Sequence, residues 1–357
     1  MRRVLLAMSG GVDSSTAGYL LKERGFAVTG AFMSLLANDP SDSAEKSCCS
    51  LKDAEDARAA ANKLDFDFFV FNFQRAFARE VIGRFAKAYA TGLTPNPCLD
   101  CNRHLKFGLF RERATILNHD FVATGHYARV EFDADLNRFV LKKAVDPSKD
   151  QSYALYALTQ AELAKTLFPL GEIPKTEIRS LAAALGLANA NKPDSQDICF
   201  VQKGHYTDFL ASLGPPPPPG DIVDLAGQVL GRHLGLHHYT VGQRRGLGLC
   251  RSTPWYVVAL DPQKNQVVVG SEEDLAQERV LVQSVNLIAL DQLTKPKTVM
   301  AKIRYRQKEI PAEISPTDQG LILTFKTPQK AVSPGQAAVF YEGETVIGGG
   351  VIARDKI

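Results

Sequence analysis

Ser9-Gly10-Gly11-Val12-Asp13-Ser14-Ser15 decides how the N-terminal half of the chain is read. It follows Val4-Leu5-Leu6-Ala7-Met8, a short apolar run with the character of a buried strand. It opens into Ser14–Arg24, where Ala17, Leu20 and Leu21 share one helical face and Gly25 supplies a stop. A strand, a glycine turn and a helix N-terminus together make an anion site. The glycines let backbone approach a ligand, unpaired N–H groups point outward, and the helix dipole favours negative charge. Asp13 and Ser14 are expected to cap the helix, and an ordinary βα turn with a capping Asp-Ser pair has the same local pattern. The loop has neither the lysine of GxxxxGK[ST] nor the spacing of GxGxxG, which argues against a P-loop NTPase and a dinucleotide fold.

Outward from this loop, strand-like and helical runs alternate. Phe26–Ser34, Asp67–Phe71 and Phe121–Thr124 read as strands; Lys52–Lys63, Arg75–Thr91 and Cys101–Leu117 read as helices. The alternation predicts an α/β fold, a doubly wound parallel sheet with ligands at the C-terminal ends of its strands. Gly125 and His126 then fall beside the opening loop. Residues 129–143 suggest a hairpin turning at 133–137, and Gln151–Leu158, Gln160–Leu167, Lys175–Leu185 and His205–Leu213 suggest helices. Five prolines, Pro215–Pro219, form a stiff spacer. Beyond them lie short β-rich runs at Trp255–Leu260, Gln266–Gly270, Val280–Ile288, Val299–Tyr305, Leu321–Phe325, Ala337–Tyr341 and Thr345–Ile352. These predict one or two small β-barrel or sandwich modules.

A chain of 357 residues suits two or three domains, and 45% apolar with 23% charged residues is a globular composition. No apolar run approaches the roughly 20 residues that span a bilayer. The start, Met1-Arg2-Arg3 and five apolar residues, runs into the glycine loop without a cleavage pattern, so a cytoplasmic location is expected. A net charge of +3, evenly spread, leaves any nucleic-acid surface to local patches.

Six cysteines in such a chain point to thiol or metal chemistry rather than a disulfide framework. Cys98 and Cys101 form a CxxC at an expected helix N-terminus behind the proline-stiffened Thr94–Pro97, a position that makes a thiol more acidic. Half of a zinc site and an inert buried pair are the alternatives, although no second CxxC or HxxxH completes four zinc ligands. Cys199 lies where polar turn residues lead into a short apolar strand, a setting that also suits a small core residue. Cys48, Cys49 and Cys250 have no visible partners and read as non-catalytic. The opening loop resembles the adenylating loop of the ATP-pyrophosphatases, and with the spaced thiols that resemblance implies activation followed by sulfur transfer: a carbonyl oxygen becomes an AMP ester, and a persulfide sulfur displaces AMP.

The opening loop resembles the SGGxDS loop of the ATP-pyrophosphatase (PP-loop) superfamily. With TPNPCLDCNRHLKF at 94–107, ATGHYAR at 123–129, KDQSY at 149–153, FPLGEIPKTEIR at 168–179, KPDSQDICF at 192–200, YTVGQRRGLG at 239–248 and PGQAAVF at 334–340, the chain resembles the tRNA-specific 2-thiouridylase (MnmA) family nearly end to end. The resemblance implies a PP-loop domain at 1–214, a small central β-rich domain at 215–283 and a C-terminal tRNA-binding β-barrel at 284–357. It implies ATP and Mg²⁺ as cofactors, tRNA as partner, and 2-thiolation of the wobble uridine, position 34, in tRNAs for Lys, Glu and Gln. A persulfide donor, either a cysteine desulfurase or a relay protein, is implied as a second partner.

By position, the resemblance assigns ATP to Ala7, Met8, Ser9, Gly10, Gly11, Val12, Asp13, Ser14, Met33 and Gly125. It makes Cys101 the thiol nucleophile and Cys199 the persulfide carrier, the two pairing as a disulfide during turnover. Asn96, Pro97 and Cys98 would face the target base, and His126, Lys149, Asp150, Gln151, Arg304, Tyr305 and Gln336 would contact tRNA. One departure stands out: many relatives carry an acid/base Asp where this chain has Cys98, and a thiol's different intrinsic pKa changes the pH at which it shuttles a proton. Cys98, Cys101 and Cys199 also have a spacing compatible with three ligands of a 4Fe-4S cluster carrying sulfide on its fourth iron.

Arg244-Arg245 in a glycine-flanked loop and Lys302–Arg306 on an expected strand supply cations and an aromatic for RNA, although a solvated basic face has the same pattern. An ammonia-using ATP-pyrophosphatase ligase would not need the cysteines, and a non-enzymatic RNA-binding module would not need the opening loop.

Overall fold

A computed structural model of the chain describes residues 1–36, 50–190, 192–193, 198–201, 206–249 and 254–354. Cys48, Cys49 and Cys250 lie outside the described residues, as do 194–197 of the Cys199 motif. The chain forms two compact units. One comprises Met1–Ile82, Cys98–Lys203 and Glu344–Val346; the other Gly83–Pro97, Gly204–Gly343 and Ile347–Ile357.

The first unit is built on a parallel sheet. Its leading elements are β1 (Arg3–Ala7), α1 (Val12–Glu23), β2 (Ala27–Ser34), α2 (Leu51–Lys63) and β3 (Phe68–Asn72). A helical run follows: α3 (Gln74–Phe77), a π-helical stretch Ala78–Gly83 and α4 (Arg84–Ala90), of which α4 belongs to the second unit. A second comprises α5 (Pro97–Asp100), a π-helical stretch Cys101–Leu109 and α6 (Phe110–Ile116). Next come β4 (Phe121–Thr124), the hairpin β5 (Ala128–Asp133) and β6 (Arg138–Lys143), α7 (Gln160–Leu163), β7 (Thr166–Leu167) and α8 (Lys175–Ala184). Strand order is β3-β2-β1-β4-β7, all parallel. Val4, Leu5 and Leu6 of the central strand are fully buried, as an apolar run covered on both faces requires. Succession runs outward from β1 to β3 and then reverses to β4. The reversal opens a crevice at the C-terminal ends of β1 and β4.

Two segments differ from their expected form. Gln151–Leu158 is a single 3₁₀ turn at Ser152–Leu155, and Gln160–Leu167 divides into α7 and the strand β7. Thr159 stops α7 from extending backward by a capping box with Glu162. Two residues are too few to show a strand period, so β7 is defined only by pairing with Val122 and Ala123.

The second unit carries α9 (Tyr206–Ser212), a four-stranded sheet and a closed barrel. β8 (Gly220–Val223), β9 (Val229–His233), β10 (Tyr256–Asp261) and β11 (Gln266–Gly270) pair in the order β10-β11-β8-β9 around Ile222, Val257, Val267 and Val269. β12 (Ala276–Leu287), β13 (Lys297–Lys302), β14 (Ile310–Thr317), β15 (Gly320–Lys330), β16 (Ala337–Glu342) and β17 (Thr345–Ile352) run β12-β15-β14-β13-β16-β17, and β12 pairs with β17 to close the barrel. Closure removes exposed sheet edges.

Candidate active site

In the crevice of the first unit, the loop after β1 is shaped by two close approaches. Gly10 has φ +71°, and a Cβ there would meet the Asp53 carbonyl oxygen at 2.3 Å. A Cβ on Gly125, just after β4, would meet the Ser14 amide nitrogen at 2.9 Å. Both positions exclude a larger side chain, so backbone lies against backbone on two sides of the loop.

Helix α1 is not capped as its sequence suggests. Its N-cap is Gly11, and no side chain bonds there. Ser14 Oγ instead accepts from Ser9 N–H at 3.1 Å and donates to Gly11 O at 3.1 Å, bracing the loop. The amides at the start of α1 are thus left to a ligand, and phosphate suits them in charge and geometry. Ala7 ends β1, and Met33 lies near the end of β2 in the same parallel register. Met8 and Val12 are buried beneath the loop.

Asp13 did not become a cap. Its carboxylate accepts from Lys175 Nζ at 2.6 and 2.7 Å and from the Tyr127 hydroxyl at 2.7 Å. Lys175 is buried at the first residue of α8, where the helix dipole opposes a cation. A lysine at that unfavourable position within FPLGEIPKTEIR is the cue through which sequence reasoning could have found it. Behind the loop, Lys192 Nζ contacts Asp53 Oδ1 at 2.6 Å, Asp56 Oδ2 at 2.8 Å and Gly10 O at 3.3 Å. Burial alone would lower the Lys192 pKa, but the two carboxylates outweigh it and raise it. Asn189 Nδ2 donates to Gly10 O and Ser15 Oγ, each at 3.0 Å. Asn189 and Lys192 stand shortly before Cys199, so one side of the phosphate loop is tied to the base of that cysteine's segment.

Pro97 opens the CxxC helix, where its missing N–H is no loss. Cys98 is exposed in the first turn; Cys101 is half-buried one turn later, at the start of the π-helical stretch. Cys199 is half-buried in a turn rather than a strand, beside Phe200, whose ring packs edge-on against Phe77. Among the described residues no group of three His, Cys, Asp or Glu side chains could hold a metal ion. The expected 4Fe-4S ligand set of Cys98, Cys101 and Cys199 thus finds no support among the described residues.

His126 is buried rather than exposed. Burial first, and the Lys106 charge second, push its pKa well below the ordinary value, so the ring is neutral. Its Nδ1 lies 2.6 Å from Thr124 Oγ1. Asp150 accepts from the Ala144 and Ser152 amides, and Gln151 exchanges hydrogen bonds with the Tyr127 backbone. Lys149 is half-buried in the adjoining turn.

In the second unit, Arg304 and Tyr305 are exposed in the turn after β13, not on the strand expected to carry them. Arg304 donates to the Ala331 carbonyl and, at 3.2 Å, to Ser333 Oγ. Gln336 Nε2 donates to Thr94 O at 2.8 Å, fixing the approach to Asn96 and Pro97. Thr94, Gln243, Arg304, Ser333 and Gln336 help line a cavity of about 520 Å³. Arg244 and Arg245 are exposed beside it in sequence.

Residues 2–203 match the tRNA methyl transferase HUP domain, 207–271 the tRNA methyl transferase PRC-barrel domain and 277–352 the Aminomethyltransferase beta-barrel domain. The tRNA-specific 2-thiouridylase MnmA of Moorella thermoacetica is 48% identical over 351 residues, 98% of each chain. The protein of that name from Lachnoclostridium phytofermentans is 45% identical, with 99% of this chain and 100% of the relative covered. That from Clostridioides difficile is 44% identical, with 99% and 98% covered. No described helix is long and apolar enough to cross a membrane.

Proposed function

The chain belongs to the tRNA-specific 2-thiouridylase family, and we propose that it replaces the C2 oxygen of a tRNA uridine with sulfur at the expense of ATP. The observation that carries this reading is the uncapped, glycine-pressed loop before α1 in the same unit as Cys98, Cys101 and Cys199. In this proposal residues 1–214 perform the chemistry, 215–283 form a central domain, and 284–357 help to hold the tRNA.

ATP would lie on Ala7–Ser14, Met33 and Gly125, its phosphates against the α1 amides. Mg²⁺ would arrive with the triphosphate and screen its charge. Lys175, released from Asp13 by the incoming phosphates, would move its charge onto them. The uridine C2 oxygen attacks the α-phosphorus, pyrophosphate leaves, and C2 carries AMP as a leaving group. The terminal sulfur of a Cys199 persulfide then bonds to C2 as the C–O bond to AMP breaks. Cys101 thiolate attacks Cys199 Sγ, the S–S bond breaks toward the substrate, and 2-thiouridine departs. The resulting Cys101–Cys199 disulfide is reset by two electrons from a thiol reductant. Cys98 would serve as proton shuttle beside the target base, with Asn96 and Pro97. A cysteine desulfurase or a relay protein would reload Cys199.

On the RNA side, Arg304, Tyr305 and Gln336 would meet the anticodon arm, with Lys149, Asp150 and Gln151 nearer the chemistry. His126 would act through what it holds, because its ring is buried. The wobble uridine of tRNAs for Lys, Glu and Gln is the target in this reading; a single-stranded loop makes flipping it out comparatively cheap.

Mass spectrometry of tRNA after incubation with ATP, Mg²⁺ and a persulfide source tests the reading. A gain of about 16 Da at the wobble uridine is expected for oxygen replaced by sulfur. Unmodified tRNA with a persulfide-loaded enzyme would overturn it.

A further inference from the structure

Among the described residues, Lys106, Lys175 and Lys192 stand by the crevice, and their partners differ. Lys175 faces Asp13, and Lys192 faces Asp53 and Asp56. Lys106 is half-buried and pairs with no carboxylate among the described residues; its polar partner there is His126, Nζ to Nε2 at 3.4 Å. An ammonium only donates, so Nε2 must accept and Nδ1 must carry the ring hydrogen, which goes to Thr124 Oγ1. The rings of Phe107 and Phe168 stand 6.1 and 5.9 Å from the imidazole and confine it. Thus a rigid neutral acceptor aims the ammonium without neutralising it. Two of its three N–H donors remain for another group. A half-buried ammonium held by a neutral acceptor, with no carboxylate partner among the described residues, offers its remaining donors to a ligand of opposite sign.

Its position says which ligand. Lys106 lies on the π-helical stretch that begins at Cys101. His126 directly follows Gly125, which presses on the Ser14 amide. The ammonium therefore stands where the thiol-bearing helix meets the end of β4, beside the phosphate loop. We propose that Lys106 binds a phosphate group during turnover, either the one joining AMP to the activated uridine or a backbone phosphate of the tRNA beside it. The identity of these phosphates rests on the thiolation reading above.

Full-length Lys106→Met, which keeps the aliphatic stem, is compared with wild type and Lys106→Arg. If the phosphate is that of the activated uridine, Met leaves tRNA and ATP affinities within about twofold while single-turnover thiolation falls about a hundredfold, and Arg restores part of the rate. If it is a backbone phosphate, Met weakens tRNA binding and reduces the slope of log affinity against log salt by about one, with the rate recovering at saturating tRNA. Unchanged affinity, salt slope and rate in Lys106→Met would overturn the inference. Should the Met variant melt early, Lys106→Gln takes its place in the same measurements. A wild-type enzyme that binds tRNA but never thiolates it sinks the functional reading instead, and the salt slope still reports on Lys106.

Discussion

Lys175 Nζ holds both carboxylate oxygens of Asp13, at 2.6 and 2.7 Å, across 162 positions of sequence. This ion pair fastens the first residues of α8 to the first turn of α1, and the Tyr127 hydroxyl completes the carboxylate's partners. Lys175 is almost wholly withdrawn from water, whereas Asp13 keeps 29% of its side chain exposed.

Removing Lys175 leaves a half-buried carboxylate with the Tyr127 hydroxyl as its partner among the described residues. Lys175→Met is expected to lower unfolding free energy by about 2 kcal/mol, below the range for fully buried pairs because Asp13 is partly solvated. In a urea-denaturation cycle, Lys175→Met with Asp13→Asn should cost less than the two single changes summed. Strict additivity would mean the pair is not coupled.

The two thiols should fail at different steps. Cys199→Ser is expected to release pyrophosphate with tRNA present yet yield no 2-thiouridine. Cys101→Ser should instead trap tRNA on Cys199 through a C–S–S–C linkage, visible as a slow band on a non-reducing gel and released by dithiothreitol. A fully active Cys101→Ser without that band argues against the assigned order of attack.

His126 makes stability fall in acid. Its folded pKa is held well below the ordinary 6.5 by burial, so the unfolded chain binds a proton that the folded chain refuses. Its contribution is complete above about pH 6.5 and is lost as pH falls, by up to about 1.4 kcal/mol per unit. Denaturation midpoints at pH 7.5 and 5.5 should therefore converge more closely in His126→Gln than in wild type. His119, His237 and His238, also lowered mainly by burial, retain part of the slope.

Arg304 spends only part of its guanidinium on Ala331 and Ser333, which leaves donors for phosphate. Arg304→Ala is expected to weaken tRNA binding about tenfold, a loss near 1.4 kcal/mol, and to flatten its salt dependence. ATP affinity should not change. Equal tRNA affinity in the variant, measured by filter binding, would remove Arg304 from the interface.

What could be read from sequence was local. SGGVDSS follows an apolar run and opens a periodic helix, so strand, loop and α1 are visible within about 25 residues of chain. Alternation of short runs implied the parallel sheet, and cysteine spacing implied thiol chemistry. β14 was not among the strands expected from sequence; Pro311 and Pro316 are poorly suited to a central strand, yet Ile310–Thr317 pairs with strands on both sides.

Spacing alone suggested Cys98, Cys101 and Cys199 as a cluster, and no such ligand group forms among the described residues. Asp13 was legible as a cap because capping is a short-range bond, but its real partners, Tyr127 and Lys175, come from other elements. Asn189 and Lys192 behind Gly10, and Lys106 against His126, are likewise meetings of distant segments. Sequence by itself determined where phosphate and sulfur chemistry could reside, because glycine conformation and thiol identity are properties of single residues. Only the tertiary structure decided which of these lysines meets a carboxylate and which, among the described residues, meets none, because that depends on distances between side chains many residues apart.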